Sequence, residues 1–188
     1  FNVIAIMALM CYYLKEYRMK MNNITLIGMP GAGKSTLGVV LAKILGYEFL
    51  DSDLLIQKEE KRRLYQIIEE GEEGFKTIEN RVNASIDTEN TVIATGGSVV
   101  YCSEAMEHLK SIGKVVYLSL SLESLEKRLG NLKKRGVLLK EGQTLKSLYE
   151  ERVPLYEKYA DIVVDEEGKD LEASLQALLE TLQTGVIK

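Results

Sequence analysis

The sequence predicts an α/β fold, a parallel sheet covered by helices on both faces. Residues 24–36 read Ile-Thr-Leu-Ile-Gly-Met-Pro-Gly-Ala-Gly-Lys-Ser-Thr, an apolar run joined at once to a G-x-x-x-x-G-K-[ST] loop. From Asn23 onward, short apolar runs alternate with stretches of helical periodicity, the signature of parallel strands joined by crossover helices. Five such runs, each followed by a helix, imply a sheet buried on both sides. Ligands of such sheets sit at the carboxyl ends of the strands.

Taken in order, strand one is expected at Ile24–Gly28. Its helix spans Lys34–Leu45, with Leu37, Val40, Leu41, Ile44 and Leu45 on the apolar face and Gly46 as the stop. Strand two is expected at Tyr47–Asp51. Residues 53–88 read as helical, with interruptions around Gly71 and Gly74. Strand three follows at Thr91–Gly96, then a helix at Ser103–Ile112 closed by Gly113. Strand four spans Lys114–Leu120, and Ser121 is placed to cap a helix running to about Leu129. Strand five is Ile162–Asp165. The last helix puts Leu171, Leu175, Leu178, Leu179 and Leu182 on one face.

The glycine-rich loop dictates its own chemistry. A triphosphate is a dense anion, held by backbone N–H groups that converge on it. Gly28, Gly31 and Gly33 let the backbone come that close. The helix beginning at Lys34 aims its positive dipole end at the phosphates. Lys34 is expected to reach the β- and γ-phosphates, and the Ser35 hydroxyl to ligate Mg²⁺.

Composition narrows the remaining choices. The chain has 188 residues, enough for one domain with a core. A net charge of −4 gives no global pull toward nucleic acid or an anionic membrane. Cys11 and Cys102 have neither metal-site nor disulfide-framework spacing. A single histidine, His108, leaves carboxylates to carry any base role. Phe1–Leu14 is apolar and uncharged but shorter than the roughly twenty residues of a spanning helix. No basic stretch precedes it, so it fits a signal peptide poorly. Residues 1–20 are expected to be an extension without function, a membrane-associating segment being the alternative. The protein is expected to be cytoplasmic, monomeric, and without nucleic-acid or membrane partners.

Further candidates lie where the strands end. Asp51-Ser52-Asp53 closes strand two. One carboxylate could hold Mg²⁺ and the other could orient or deprotonate a substrate hydroxyl. Asp53 also qualifies as a helix N-cap. Gly96-Gly97 follows strand three and would let a small ligand touch main chain. Lys127, Arg128, Lys133, Lys134, Arg135, Lys140 and Lys146 surround a single acid, Glu141. Beside a phosphate loop, this basic, glycine-punctuated stretch reads as a mobile lid that brings cations over a transferring phosphoryl group.

From about Asn22 to Leu182 the chain resembles the shikimate kinase family. The resemblance rests on Gly28–Thr36, Asp51-Ser52-Asp53, Gly71-Glu72-Glu73-Gly74-Phe75-Lys76-Thr77-Ile78-Glu79, Gly96-Gly97, Arg135, Arg152-Val153-Pro154-Leu155-Tyr156 and Ala160-Asp161, in that order. It implies a three-layer α/β/α P-loop fold of nucleoside-monophosphate-kinase type, with strand order 2-3-1-4-5 and a lid. It also implies one kinase domain over 21–188, with a substrate-binding subdomain at 53–88 and the lid at 129–143.

The implied activity is ATP- and Mg²⁺-dependent phosphorylation of a hydroxyl on a small hydroxy acid, shikimate to shikimate 3-phosphate, in aromatic amino acid biosynthesis. By resemblance, Gly31, Ala32, Gly33, Lys34, Ser35 and Thr36 hold the nucleotide. Arg128 lies near the adenine and Arg135 over the phosphates. Ser35 and Asp51 serve the metal. Asp53, Lys76, Gly96, Gly97 and Arg152 hold the acceptor, with Lys34, Asp53 and Arg135 as catalytic residues.

Three positions depart from the family pattern. Lys76 replaces an arginine that grips the acceptor carboxylate, exchanging a planar fork for a point charge. The expected loss is about 1–3 kcal/mol of binding. Ser98 replaces a third glycine, and its side chain is expected to intrude on the acceptor space or restrict the backbone. Gly136 replaces a lid proline. Two of these changes fall on the acceptor side and none on the phosphate loop. They keep open a sibling kinase acting on another hydroxy acid or polyol. A non-catalytic nucleotide-binding regulator and a nucleoside monophosphate kinase are the further alternatives.

Overall fold

The computed structural model describes residues 23–129 and 142–184. Residues 1–20 and Arg135, with most of the proposed lid, lie outside the described residues. Five parallel strands form one sheet: β1 (Asn23–Ile27), β2 (Glu48–Asp51), β3 (Thr91–Ala94), β4 (Lys114–Ser119) and β5 (Ile162–Asp165). Their order is β2-β3-β1-β4-β5. Every residue of β1 and β3 is buried. Consecutive burial of that kind needs cover on both faces, because neighbouring side chains point to opposite sides. The register pairs Asp51 with Ala94 and Leu26 with Ala94. The chain therefore leaves β1, β2 and β3 along one edge of the sheet, and the site is built there.

The helices are α1 (Lys34–Leu45), α2 (Ser52–Glu60), α3 (Leu64–Glu69), α4 (Glu72–Ala84), α5 (Ser103–Ile112), α6 (Leu122–Leu129), α7 (Leu145–Tyr159) and α8 (Leu171–Thr184). α1 packs on β2 and β3 and touches α8, while α5 and α7 pack on β4. The main core joins buried residues of the strands, α1, α5, α7 and α8. A separate small cluster of Ile56, Ile67, Phe75 and Val82 ties α2, α3 and α4 together.

Several elements differ from the sequence reading. The stretch 53–88 divides into α2, α3 and α4, with breaks at Lys61, in left-handed backbone, and at Gly71. Gly74 lies inside α4 and interrupts nothing. α7 carries Pro154 within it. The sequence reading assigned no element there, and a proline inside a helix is uncommon. Thr144 nonetheless caps α7, its Oγ1 accepting from Ser147 N at 3.1 Å. Leu171 is 43% exposed and does not join the apolar face that Leu175, Leu178 and Leu182 bury. No helix among the described residues is long and apolar enough to cross a membrane.

Candidate active site

The loop between β1 and α1 turns on left-handed glycines. Gly31 and Gly33 have φ of +84° and +96°, backbone that L side chains rarely adopt. A Cβ on Gly31 would also lie 2.8 Å from Leu129 Cδ2, so the loop touches the end of α6. Ala32 is buried, its N–H donating to Met29 O at 3.1 Å. Thr36 is exposed in the first turn of α1. Lys34 Nζ donates to Gly28 O at 2.8 Å and Met29 O at 3.1 Å, across the mouth of the loop. Desolvation by burial pulls the ammonium down to about 8, against the nearby Asp53 carboxylate, which favours the charge.

Asp51 ends β2 and serves two neighbours. Its Oδ1 accepts from Asp53 N at 3.0 Å and Leu54 N at 3.3 Å, and its Oδ2 accepts from Ser35 Oγ at 2.9 Å. The helix cap is therefore Asp51, not Asp53, because only the residue before the first turn can reach those amides. Asp53 stands inside that first turn. Burial pushes its carboxyl up to about 6, the Asp51 charge adding to the shift and Lys34 opposing it. A hydroxyl and a carboxylate oxygen already in contact are hard donors of the type Mg²⁺ prefers.

Beyond β3, Thr95 Oγ1 donates to Leu26 O at 3.0 Å, and Gly96 N donates to Ser52 Oγ at 3.3 Å. Space, not backbone angle, demands the two glycines. A Cβ on Gly96 would lie 2.5 Å from Glu79 Oε1 and 3.0 Å from Asp53 Oδ1. One on Gly97 would lie 2.9 Å from Pro30 Cδ and 3.1 Å from Arg152 Nη1. Tyr156 Oη donates to Gly97 O at 2.6 Å, and its ring stacks on Tyr117 at 5.1 Å.

Arg152 is buried on α7, its Nε donating to Tyr101 Oη at 3.3 Å. The Tyr101 ring lies 5.3 Å from the Arg152 guanidinium carbon and 4.8 Å from Lys76 Nζ. Two cations thus flank one aromatic ring. Lys76 Nζ is held by Glu72 at 2.6 Å and Glu73 at 3.6 Å. Arg128 is exposed in the last turn of α6, away from this cluster, with its charge felt by Glu166 and Glu167.

Ser98 corrects an expectation. Its backbone, φ −92° and ψ −10°, is ordinary right-handed conformation, so no glycine is required. Its side chain is buried, and Oγ donates to Glu79 Oε2 at 2.6 Å. Sequence reasoning gave no role to Glu79, Tyr101 or Tyr156. Glu79 is wholly buried, and burial pushes its carboxyl up to about 7, against the Ser98 hydrogen bond. Its one legible signal was an acid four residues after Phe75, on the face that Phe75 buries.

The described residues thus join a phosphate loop to a buried acid and a buried arginine at the carboxyl edge of a 2-3-1-4-5 sheet, the arrangement of a small-molecule kinase. Comparison with known proteins narrows the class. The family model for shikimate kinase matches residues 30–183. A shikimate kinase of Persephonella marina is 38% identical over 151 residues, covering 79% of this chain and 92% of its own. One from Francisella tularensis subsp. novicida is 44% identical over 151 residues, covering 78% and 86%. The structure of shikimate kinase from Acinetobacter baumannii in complex with shikimate superposes with a TM-score of 0.79 at 35% identity, covering 90% of this chain and 97% of that one. The chain belongs to the shikimate kinase family.

Proposed function

We propose that the protein transfers the γ-phosphate of ATP to a hydroxyl of shikimate, giving shikimate 3-phosphate and ADP, in aromatic amino acid biosynthesis. One observation carries this reading: at Gly97 a Cβ would lie 2.9 Å from Cδ of Pro30 in the phosphate loop and 3.1 Å from Nη1 of the buried Arg152. The phosphate loop and the acceptor-side arginine therefore meet at one turn after β3.

In this reading the amides from Gly31 through Thr36 cradle the triphosphate, and Lys34 leaves Gly28 O and Met29 O to meet its β- and γ-oxygens. Ser35 and Asp51 would hold Mg²⁺, which supplies charge neutralisation on the phosphate oxygens when bound. Asp53 receives the proton of the attacking hydroxyl. The hydroxyl oxygen bonds to the γ-phosphorus as the bond to the β,γ-bridging oxygen breaks, and ADP leaves with that electron pair. Positioning and charge do most of the work. Arg152 and Lys76 bind the acceptor's carboxylate, and Gly96 and Gly97 bring main chain against its ring. Arg128 serves the adenine side, and Arg135 closes over the phosphates from the lid at 129–143. The helices of 53–88, with their own small core, form the acceptor-binding subdomain. The working form is a cytoplasmic monomer without nucleic-acid or membrane partners.

Coupled ADP release across a panel of hydroxy acids and polyols tests the assignment. Turnover with shikimate well above every other acceptor is expected. Strong turnover of another acid with none on shikimate would overturn it.

A further inference from the structure

Tyr101 ends the short 3-10 turn that follows Gly96-Gly97-Ser98, half-buried between two cations. Its hydroxyl accepts from Arg152 Nε at 3.3 Å. Its ring centre lies 5.3 Å from the Arg152 guanidinium carbon and 4.8 Å from Lys76 Nζ. A guanidinium can grip a carboxylate in two ways, through both Nη atoms or through Nε and one Nη. The Tyr101 hydroxyl occupies Nε and so closes the second way. The Nη end stands at the turn after β3, where Nη1 packs against Gly97.

The chemistry of the Nε partner matters as much as its place. Burial holds the Tyr101 phenol above its ordinary value, against the hydrogen bond from Arg152. The hydroxyl therefore stays neutral around pH 7. A carboxylate in its place would fix the guanidinium equally well but would offset its charge. A neutral hydroxyl fixes the guanidinium and leaves the charge for an incoming anion. Lys76 differs, because Glu72 at 2.6 Å already offsets its ammonium. The face of the Tyr101 ring attracts that ammonium as well.

We infer that Tyr101 is a positioning residue for the acceptor carboxylate, its hydroxyl holding Arg152 so that the two Nη atoms pair with that carboxylate while its ring keeps Lys76 beside them. The inference rests on the acceptor site proposed above and deepens it. Tyr101 touches no reacting atom. It makes the site prefer an acid over the matching uncharged ester by orienting one buried charge.

The experiment is steady-state kinetics on the full chain at saturating ATP. Acceptors are shikimate and its methyl ester, which keeps every ring hydroxyl and loses the charge. Calorimetric dissociation constants are read for both, so that slow turnover of the ester leaves the comparison intact. Tyr101→Phe keeps the ring and removes the hydroxyl. It should raise the KM for shikimate about tenfold, with kcat within about threefold, the KM for ATP unchanged and the melting temperature near wild type. Its effect on the ester should be within about twofold, because the contact it orients is already gone. Tyr101→Leu, which removes the ring too, should raise the shikimate KM at least as much as Tyr101→Phe. An unchanged shikimate KM in Tyr101→Phe would overturn the inference. An equal loss on acid and ester would overturn it too, because the effect would then lie in pocket shape and not in the carboxylate. Wild-type protein that turns over no acceptor would instead mark failure of the kinase reading itself.

Discussion

Ser35 Oγ donates to Asp51 Oδ2 at 2.9 Å, so the first turn of α1 and the end of β2 are already in contact at the position proposed for the metal. The two residues are not equivalent. Asp51 also caps α2 through Oδ1, whereas no side-chain hydrogen bond caps α1. Ser35→Ala should raise the Mg²⁺ concentration for half-maximal rate about tenfold and leave the melting temperature near wild type. Asp51→Ala should do the same to the metal response and also cost about 1 kcal/mol of stability through the lost cap. A magnesium titration of initial rate beside a thermal melt reads both. A melting loss in Ser35→Ala equal to that in Asp51→Ala would contradict the division of labour.

Tyr156 fixes Gly97 from behind. Its hydroxyl donates to Gly97 O at 2.6 Å, and its ring is wholly buried against Tyr117. Tyr156→Phe keeps the stacking and removes only the hydrogen bond. We expect a stability loss of about 1 kcal/mol and a higher acceptor KM, with the KM for ATP unchanged. A parallel rise in both KM values would place the effect on the whole fold instead.

Gly96 has no room for a methyl group. Its Cβ would meet Glu79 Oε1 at 2.5 Å and Asp53 Oδ1 at 3.0 Å, both inside normal contact. Gly96→Ala should displace one or both carboxyls and lower kcat/KM for the acceptor at least about a hundredfold. Nucleotide affinity, measured by calorimetry with ADP, should change little. Loss of ADP binding in this variant would speak against the separation of nucleotide and acceptor sides.

Burial also sets a pH dependence. Asp53 is raised to about 6 and Glu79 to about 7, from 3.8 and 4.5. A carboxyl with a raised folded pKa favours the native state while both states are protonated. That advantage disappears as pH rises through the folded value. The ligand-free protein should therefore lose stability between about pH 4 and pH 7, by an amount on the order of a few kcal/mol. Glu79→Gln should flatten that decline. Its melting temperature should be the higher of the two at pH 8. A wild-type melting temperature that climbs over this range would contradict the burial argument.

The parts of this protein that chain-local chemistry controls were legible in the sequence. The bounds of α1 came out as read, because a phosphate loop fixes its start and Gly46, at φ +69°, fixes its end. The sheet order was not local information: it was implied by the resemblance to the shikimate kinase family, and the structure has it. What stayed hidden was set by packing between distant segments. Glu79 and Ser98 are 19 residues apart, and nothing local says that they touch. Tyr156 and Gly97 are 59 apart. α7 was not assigned, although the cap at Thr144 was present in the sequence. Lys76 was read as an acceptor-side cation, and its pairing with Glu72 and Glu73, one turn back, was not part of that reading. Helical spacing of three and four residues made that pairing readable in advance.

Transfer of a labelled γ-phosphate from magnesium-loaded ATP, followed by product separation, tests the central claim most directly. Wild-type protein should move the label onto shikimate, one phosphate for each ADP formed, and Lys34→Ala should remove the transfer. Label released only as inorganic phosphate regardless of shikimate, or near-full transfer by Lys34→Ala, would contradict the account.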